Sequence, residues 1–302
     1  MSSDESWLVT GIHGCIGAWV GLILAKEDKR VVGLDRSDRD HRLRLICTPE
    51  QLARIGVVNG DVADLDLLER TLDEHAITHV VHLAALQLPF CRADPVGGAH
   101  VNVVGTAAVF EAARRHGLST SLSYASSAAV YDADGLIDGA SLYGVYKIAT
   151  EGIARIFWQD NKVASLGLRP FVVYGPGRDQ GMTAGPTQAI AAAVAGGPYN
   201  IAFGGRTQLQ YTADVARAFI AAARTPADGA TVFNLGGPAI AMSEVVSTIG
   251  QLVPGAKITF DDVPLRSGAR PARLDHDCGP AGRGAGACLR RGQADRERSL
   301  FL

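Results

Sequence analysis

Trp7-Leu8-Val9-Thr10 is short, apolar and β-prone, and it runs directly into Gly11-Ile12-His13-Gly14-Cys15-Ile16-Gly17. A helical run from Ala18 to about Lys26 follows. This order of strand, glycine turn and helix constrains the chain more than any other stretch. Glycines at the first, fourth and seventh positions permit a tight turn and let backbone N–H groups approach a pyrophosphate at the start of the helix. Such a motif is weak alone, but a second strand, Val31-Val32-Gly33-Leu34-Asp35, comes next and ends on an acid about 20 residues on. A carboxylate there accepts hydrogen bonds from both ribose hydroxyls of NAD and repels the 2′-phosphate of NADP. Arg36, beside it, is suited to accommodating that phosphate, so NAD is favoured while NADP stays open. The plain alternative for Asp35 is a turn residue that ends a strand.

The alternation continues. His41 to Ala53 is mixed and charged, with Pro49 opening a helix. Ile55 to Asn59 is a third strand, closed by Gly60-Asp61-Val62, and Asp64 caps a helix to about His75. Asp61 and Val62 fall where an adenine ring is flanked in a doubly wound sheet, though a turn role serves Asp61 equally well. Thr78 to Leu83 is a fourth strand running into Ala84-Ala85, whose small size leaves room for a ligand. His82 reads as a packed core histidine. Pro95 to Arg115 forms a long helix containing Asn102, Leu118 to Tyr124 a fifth strand, and Val163 to Arg169 a sixth. Alternating β and α segments through residue 169 predict a parallel, doubly wound α/β sheet.

Just past the fifth strand come Ser126 and Ser127, then Tyr143-Gly144-Val145-Tyr146-Lys147 at the start of a helix. Residues four apart share a helix face, so Tyr143 and Lys147 point at one small space. A phenol with an ordinary pKa of about 10 is expected to fall beside an ammonium, which suits it to exchange a proton with an alcohol or carbonyl. Ser127 is placed to hold the same oxygen. An amphipathic helix with a surface lysine is the plain alternative, and the position after the fifth strand weighs against it.

Beyond residue 178 the alternation loosens. Helices are expected over Pro186–Ala195, Thr212–Ala223 and Ser243–Val253, with strands over Tyr199–Phe203, Thr231–Leu235 and Lys257–Phe260. The division expected is 1–169 for cofactor binding, 170–264 for a substrate lobe partly interleaved with it, and an atypical tail, 265–302. The tail holds eight arginines and four acids, a net charge of +4. A solvated extension, or a segment read in the wrong frame of a GC-rich gene, is favoured there over a nucleic-acid-binding arm.

A net charge of −2 gives no global attraction to nucleic acid or anionic membrane. No apolar run reaches the length of a membrane span, and the polar, acidic N-terminus does not resemble a signal peptide. Five cysteines with irregular spacing point away from a disulfide framework and toward the cytoplasm. No metal is expected; His276 and Cys278 lack a second ligand pair.

Taken together the chain resembles an extended short-chain dehydrogenase/reductase of the NAD-dependent epimerase/dehydratase type. The matching pieces are Thr10-Gly11-x-x-Gly14-x-x-Gly17, Asp35, Gly60-Asp61-Val62, His82-Leu83-Ala84-Ala85, Asn102-Val103-x-Gly105-Thr106, Ser126-Ser127-x-x-Val130-Tyr131, Tyr143-x-x-x-Lys147 and Arg169-Pro170-x-x-Val173-Tyr174-Gly175-Pro176-Gly177. The resemblance implies a Rossmann-like domain with a smaller C-terminal substrate lobe. It implies NAD held by Gly11, Gly14, Cys15, Ile16, Gly17, Asp35, Arg36, Asp61, Val62, Leu83, Ala84, Ala85, Asn102, Tyr143, Lys147, Pro170 and Val173. Tyr143 is then the general acid/base, Lys147 holds the nicotinamide ribose and tunes Tyr143, and Ser127 orients the reacting oxygen. Gln87, Ser127, Tyr174 and Arg178 are the substrate candidates. A homodimer packed through the helices of Asn102 and Tyr143 is also implied.

Departures from the family pattern narrow the chemistry. Dehydratases carry an Asp-Glu pair directly after the Ser/Thr, and decarboxylases often a Glu before Val-Tyr; here Ala128 and Ala129 stand in both places. Hydride transfer at a secondary alcohol is therefore favoured over elimination. Where nucleotide-sugar members often have an arginine, this chain reads Thr207-Gln208-Leu209-Gln210-Tyr211, with Arg206 one place early. The substrate stays open among a sugar, a sugar acid, a nucleotide sugar and a smaller hydroxy compound, the last as a dehydrogenase or ketone-reductase substrate. A non-catalytic NAD-binding regulator is the alternative outside enzymes.

Overall fold

The computed structural model describes residues 5–132 and 135–265. All of the tail except Leu265 lies outside the described residues. The chain begins β1 (Ser6–Thr10), α1 (Cys15–Lys26), β2 (Arg30–Asp35), α2 (His41–Ile46), α3 (Pro49–Leu52), β3 (Ile55–Asn59), α4 (Leu65–Glu74) and β4 (His79–His82). It goes on through α5 (Leu88–Ala93), α6 (Pro95–Ala99), a π-helical turn (His100–Val104), α7 (Gly105–His116), β5 (Leu122–Ala125) and a 3-10 turn (Ala128–Val130). Then come α8 (Leu142–Asn161), β6 (Ser165–Arg169), β7 (Val172–Tyr174), α9 (Gly185–Val194), β8 (Pro198–Ile201) and β9 (Arg206–Tyr211). The last described elements are α10 (Thr212–Arg224), β10 (Ala230–Asn234), β11 (Ala239–Ala241), α11 (Met242–Leu252) and β12 (Lys257–Phe260).

Seven strands form one parallel sheet in the order β3-β2-β1-β4-β5-β6-β10. The chain winds outward from β1 to β3, then crosses back and resumes at β4 on the other side of β1. The crevice at this reversal opens beyond the strands' carboxyl ends, where Gly11, Asp35 and Leu83 follow or end their strands. Successive side chains of a strand face opposite ways. Val9 and Val81 accordingly pack with Val20, Leu24 and Phe219 under α1 and α10. Leu8 and Val80 pack with Leu68, Val109 and Phe110 under α4 and α7. Burial on both faces explains why these strands read as unbroken apolar runs. A third core gathers Val172, Ala189, Ile201, Phe203, Met242 and Ile249 around β7, α9, β8 and α11.

Several elements differ from the sequence expectation. The first helix starts at Cys15, three residues before Ala18, because Gly14 is its N-cap and Gly17 is already inside its first turn. The long helix at Pro95 is broken into α6, the π turn and α7, and α5 precedes it as a separate short helix. The fifth strand begins only at Leu122: the Leu118 amide still caps α7 by bonding Ala113, and the Thr120 and Ser121 hydroxyls bond the Thr78 and Thr225 carbonyls. Strands β7, β9 and β11, which make a second, three-stranded sheet, had no counterpart in the expectation. Strand β9 was obscured by its inward-facing glutamines. Gln210 is buried because its Oε1 accepts from the Phe171 amide at 2.9 Å and its Nε2 donates to the Leu235 carbonyl. Strand β10 pairs with β6, and α10 packs in the core of α1, so residues 212–234 return to the large sheet.

Candidate active site

Gly11 adopts φ +73°, and a Cβ there would lie 2.8 Å from the Ala84 amide nitrogen. Glycine is thus required where the turn presses against the residues after β4. The turn closes through the Gly14 amide on the Gly11 carbonyl at 2.9 Å. A Cβ on Gly17 would collide with the same carbonyl. No side chain caps α1 and no acid occupies its first turn. Its N-terminal N–H groups and the positive end of its dipole are left for an anion.

At the end of β2, Asp35 Oδ2 accepts from the His13 amide at 3.0 Å, and Oδ1 accepts from the Ser37 amide at 2.9 Å. The carboxylate is thereby fixed to the glycine turn with lone pairs to spare. His82 is buried between Thr10 and Thr106, its Nδ1 2.7 Å and its Nε2 3.0 Å from their hydroxyls. Thr106 donates onward to the Asn102 carbonyl, so His82 must donate from Nε2 and accept at Nδ1. Burial pushes the His82 pKa down to about 3, so the ring is neutral. Its work is to hold Thr10, which in turn accepts from the Leu83 and Ala84 amides, at the crevice floor.

Two adjoining cavities occupy the crevice, of about 340 Å³ and 290 Å³. The first is walled by Asp35, Arg36, Asp61, Val62 and Ala84; the second by Ile16, Gly17, Ser127, Tyr143, Lys147, Pro170 and Val173. Gly11, Gly14, Cys15, Leu83, Ala85, Gln87 and Arg178 line both, so the two form one elongated trough. Its dimensions and its glycine cradle fit a dinucleotide, with Asp35 at one end and the Tyr143/Lys147 pair at the other. Two candidates are not in its walls. Asn102 is buried behind it, its Nδ2 donating to the Gly98 and Leu86 carbonyls at 2.9 and 3.2 Å. Tyr174 turns away to meet Tyr211 edge-on, centroids 5.7 Å apart, because Thr212 ties down its carbonyl.

At the Tyr/Lys end, Lys147 is only 4% exposed, and its Nζ donates to the Ala125 carbonyl at 2.7 Å. Burial lowers its pKa to about 8. Its ammonium lies 5.7 Å from the centre of the Tyr143 ring. The expected fall in the Tyr143 pKa does not occur in the chain by itself. Burial pushes the phenol up, against the Ser127 hydrogen bond and the charge of Arg178, while Lys147 is engaged by Ala125. The two serines divide. Ser126 donates to Glu151, whereas Ser127 accepts from the Ala129 amide at 3.1 Å and keeps its own proton for a ligand. Arg178 Nη2 donates to Thr183 at 2.9 Å, but its buried Nε has no partner among the described residues. An orphaned guanidinium donor in a trough wall suits an anionic or carbonyl acceptor on a ligand.

Sequence reasoning missed Arg42 and Asp179, which bond to each other in the wall of the first cavity. Arg42 Nε and Nη2 reach Asp179 at 3.0 and 2.6 Å, and its Nη1 reaches the His13 carbonyl at 2.9 Å. No local signal marks this pair, since 137 residues separate them. Glu151 was also missed, although its spacing from Tyr143 and Lys147 places it on the same helix face. Among the described residues, no group of three or more His, Cys, Asp or Glu is placed to hold a metal, and no helix is long and apolar enough to cross a membrane.

A model of the NAD dependent epimerase/dehydratase family matches residues 7–236. UDP-glucuronate 4-epimerase 1 of Arabidopsis thaliana is 34% identical over 188 residues, covering 58% of this chain and 44% of that protein. The chain thus spans less than half the length of that plant relative. UDP-glucose 4-epimerase of Mycolicibacterium smegmatis is 32% identical over 286 residues, 89% of each chain. The solved structure of MoeE5 in complex with UDP-glucuronic acid and NAD is 28% identical, covers 87% of each chain and superposes with a TM-score of 0.71.

Proposed function

The chain belongs to the NAD-dependent epimerase/dehydratase family, and from that premise we propose that it is an NAD-dependent enzyme acting by hydride transfer at a secondary alcohol of a nucleotide sugar, with epimerisation as the net reaction. The observation that carries this reading is the convergence of Ser127, Tyr143 and Lys147 on one end of a trough whose other end is Asp35. The UDP-sugar 4-epimerases among the relatives make UDP-glucose and UDP-glucuronate the first substrates to try.

Gly14, Cys15, Ile16 and Gly17 would hold the pyrophosphate of NAD, Asp35 its adenosine ribose, and Tyr143 and Lys147 its nicotinamide ribose. When bound, its nicotinamide supplies a reversible hydride acceptor. Asp35 supports NAD over NADP, since its carboxylate repels a 2′-phosphate. Tyr143 takes the proton of the substrate hydroxyl as the carbinol carbon becomes a carbonyl, and returns it when that carbonyl is reduced. Ser127 donates to the same oxygen. Lys147 compensates the phenolate that Tyr143 must become. Ala128 and Ala129 offer no acid to a leaving hydroxyl, which supports redox chemistry over elimination. Arg178 and Gln87, on the wall shared by both cavities, are placed for the substrate.

A second reading, oxidation of a smaller hydroxy compound, draws on the second cavity. Arg178 and Lys147 are the cations in its lining, and Phe171, Val172, Met182 and Leu265 form much of the rest. This is a sparse setting for a diphosphate. Incubation with NAD or NADP and a panel of UDP-sugars, sugar acids and simple hydroxy acids separates the two. Epimer formation without net reduced cofactor supports the first; accumulating NADH on a small alcohol supports the second.

The protein is also proposed to be cytoplasmic and a homodimer. Val104, beside α7, and Val145 and Ile156 on α8 are 49%, 45% and 43% exposed, an apolar surface suited to a second copy. Size-exclusion chromatography with light scattering tests the assembly.

A further inference from the structure

Helix α8 presents Tyr143, Lys147 and Glu151 at four-residue spacing, on one face. This row meets three consecutive residues where β5 ends. Tyr143 lines the same cavity as Ser127, Lys147 Nζ donates to the Ala125 carbonyl at 2.7 Å, and Ser126 donates to Glu151 Oε1. Glu151 is in turn held from behind. Arg169 Nε and Nη2 reach its two oxygens, each at 2.7 Å, in a pair whose side chains are 7% and 12% exposed. Arg169 Nη1 also donates to the Tyr131 hydroxyl at 2.6 Å, at the far end of the turn that Ser127 begins, and Tyr131 donates to Asn234 at 3.0 Å.

We propose that Glu151, clamped by Arg169, is a positioning residue for the reacting centre, fixing the 125–127 backbone against α8 so that Ser127, Tyr143 and Lys147 share one geometry. The proposal rests on the hydride-transfer reading above. A bidentate guanidinium–carboxylate pair has one preferred orientation, so the carboxylate can define where the Ser126 hydroxyl sits. The adjacent residue, Ser127, inherits that placement. The same carboxylate acts on Lys147 through space. Burial draws the lysine pKa down to about 8, while the negative charges of Cys91, when ionised, and Glu151 oppose that fall. The other groups facing this place are neutral His82 from β4 and Tyr143 from α8; Arg169 from β6, Tyr124 from β5 and Tyr131 face Glu151 itself.

The test compares full-length wild type with Glu151→Gln, Glu151→Asp, Ser126→Ala and Tyr143→Phe. NAD affinity is titrated by tryptophan fluorescence from about pH 6 to about pH 10, and kcat and KM are measured with the UDP-sugars of the preceding screen. Lys147 binds the cofactor ribose as a cation, so wild-type affinity weakens as pH rises through about 8. In Glu151→Gln that weakening begins at a lower pH, because the opposing charge is gone. Its kcat falls at least about tenfold with little change in KM, and Glu151→Asp restores part of both. A folded Glu151→Gln with an unmoved pH curve and unchanged kcat overturns the proposal. If Glu151→Gln does not fold, Ser126→Ala decides. It leaves the ion pair intact, and a kcat lowered about tenfold at unchanged melting temperature supports the proposal, while unchanged kcat overturns it. Full activity in Tyr143→Phe refutes the hydride-transfer reading instead, and the NAD pH curves still decide the part played by Glu151.

Discussion

Lys147 donates to the Ala125 carbonyl at 2.7 Å while almost wholly buried, a position that water would otherwise make more favourable for its charge. Its pKa of about 8 lies below the ordinary lysine value. The unfolded chain therefore holds more protons than the folded one, and the cost is fully present below pH 8. It is relieved as pH rises from there toward the unfolded value of about 10.4. A depression of this size corresponds to about 3 kcal/mol, from which about 1 kcal/mol is lost with the Ala125 bond. Lys147→Met is expected to be about 1–2 kcal/mol more stable than wild type at pH 7, an advantage that disappears near pH 10, and to be inactive. Urea denaturation at the two pH values measures it; equal or lower stability at pH 7 contradicts it.

Breaking the ion pair behind the site has the opposite sign. Arg169→Met strands the Glu151 carboxylate in a nearly dry setting and is expected to cost about 3–5 kcal/mol. The double variant Arg169→Met with Glu151→Leu recovers much of that loss, since neither charge then remains buried. Thermal unfolding of both variants checks the difference. A double variant no better than the single one argues against burial as the cause.

Asp179 joins the loop after β7 to Arg42 and His41 on α2, in the wall of the cavity that also contains Asp35. The proposed epimerisation has no net use for cofactor exchange, and this bridge is expected to hinder it. Asp179→Asn is expected to release NAD about tenfold faster, the effect of losing roughly 1.4 kcal/mol of closure. Stopped-flow displacement of NAD reads the rate. An unchanged rate shows that the bridge does not guard the cavity.

The glycine-turn end of the trough was legible because its signals are local. Gly11, Gly14 and Gly17 recur at three-residue spacing between a strand and a helix, and Asp35 follows at a fixed spacing. The row Tyr143–Lys147 was legible through helix periodicity, and the same period extended once more reaches Glu151. Other features lay beyond local signals. Gln208 and Gln210 face inward in β9 and invert the alternation by which a half-buried strand is recognised. Strand β10 joins the large sheet through pairing with β6, a contact between residues about 65 apart that no window contains. The pKa of Tyr143 was misjudged because a helix face shows that Lys147 is near, and burial and the Ala125 carbonyl are properties of the fold alone.

Gly17→Ala places a methyl group against the Gly11 carbonyl, where the glycine turn crosses the first turn of α1. It is expected to weaken NAD binding at least about tenfold by displacing the pyrophosphate cradle. Calorimetric titration with NAD gives the affinity, and unaltered binding contradicts this placement of the cofactor.

The proposed chemistry centres on proton exchange at Tyr143. Tyr143→Phe keeps the ring and removes only the hydroxyl that meets Ser127. Single-turnover reduction of enzyme-bound NAD by a UDP-sugar substrate, followed at the NADH absorbance band, isolates the hydride-transfer step from product release. A loss of at least about 10²-fold in that rate, with NAD affinity preserved, is expected. A Tyr143→Phe variant that reduces its bound NAD at the wild-type rate contradicts it.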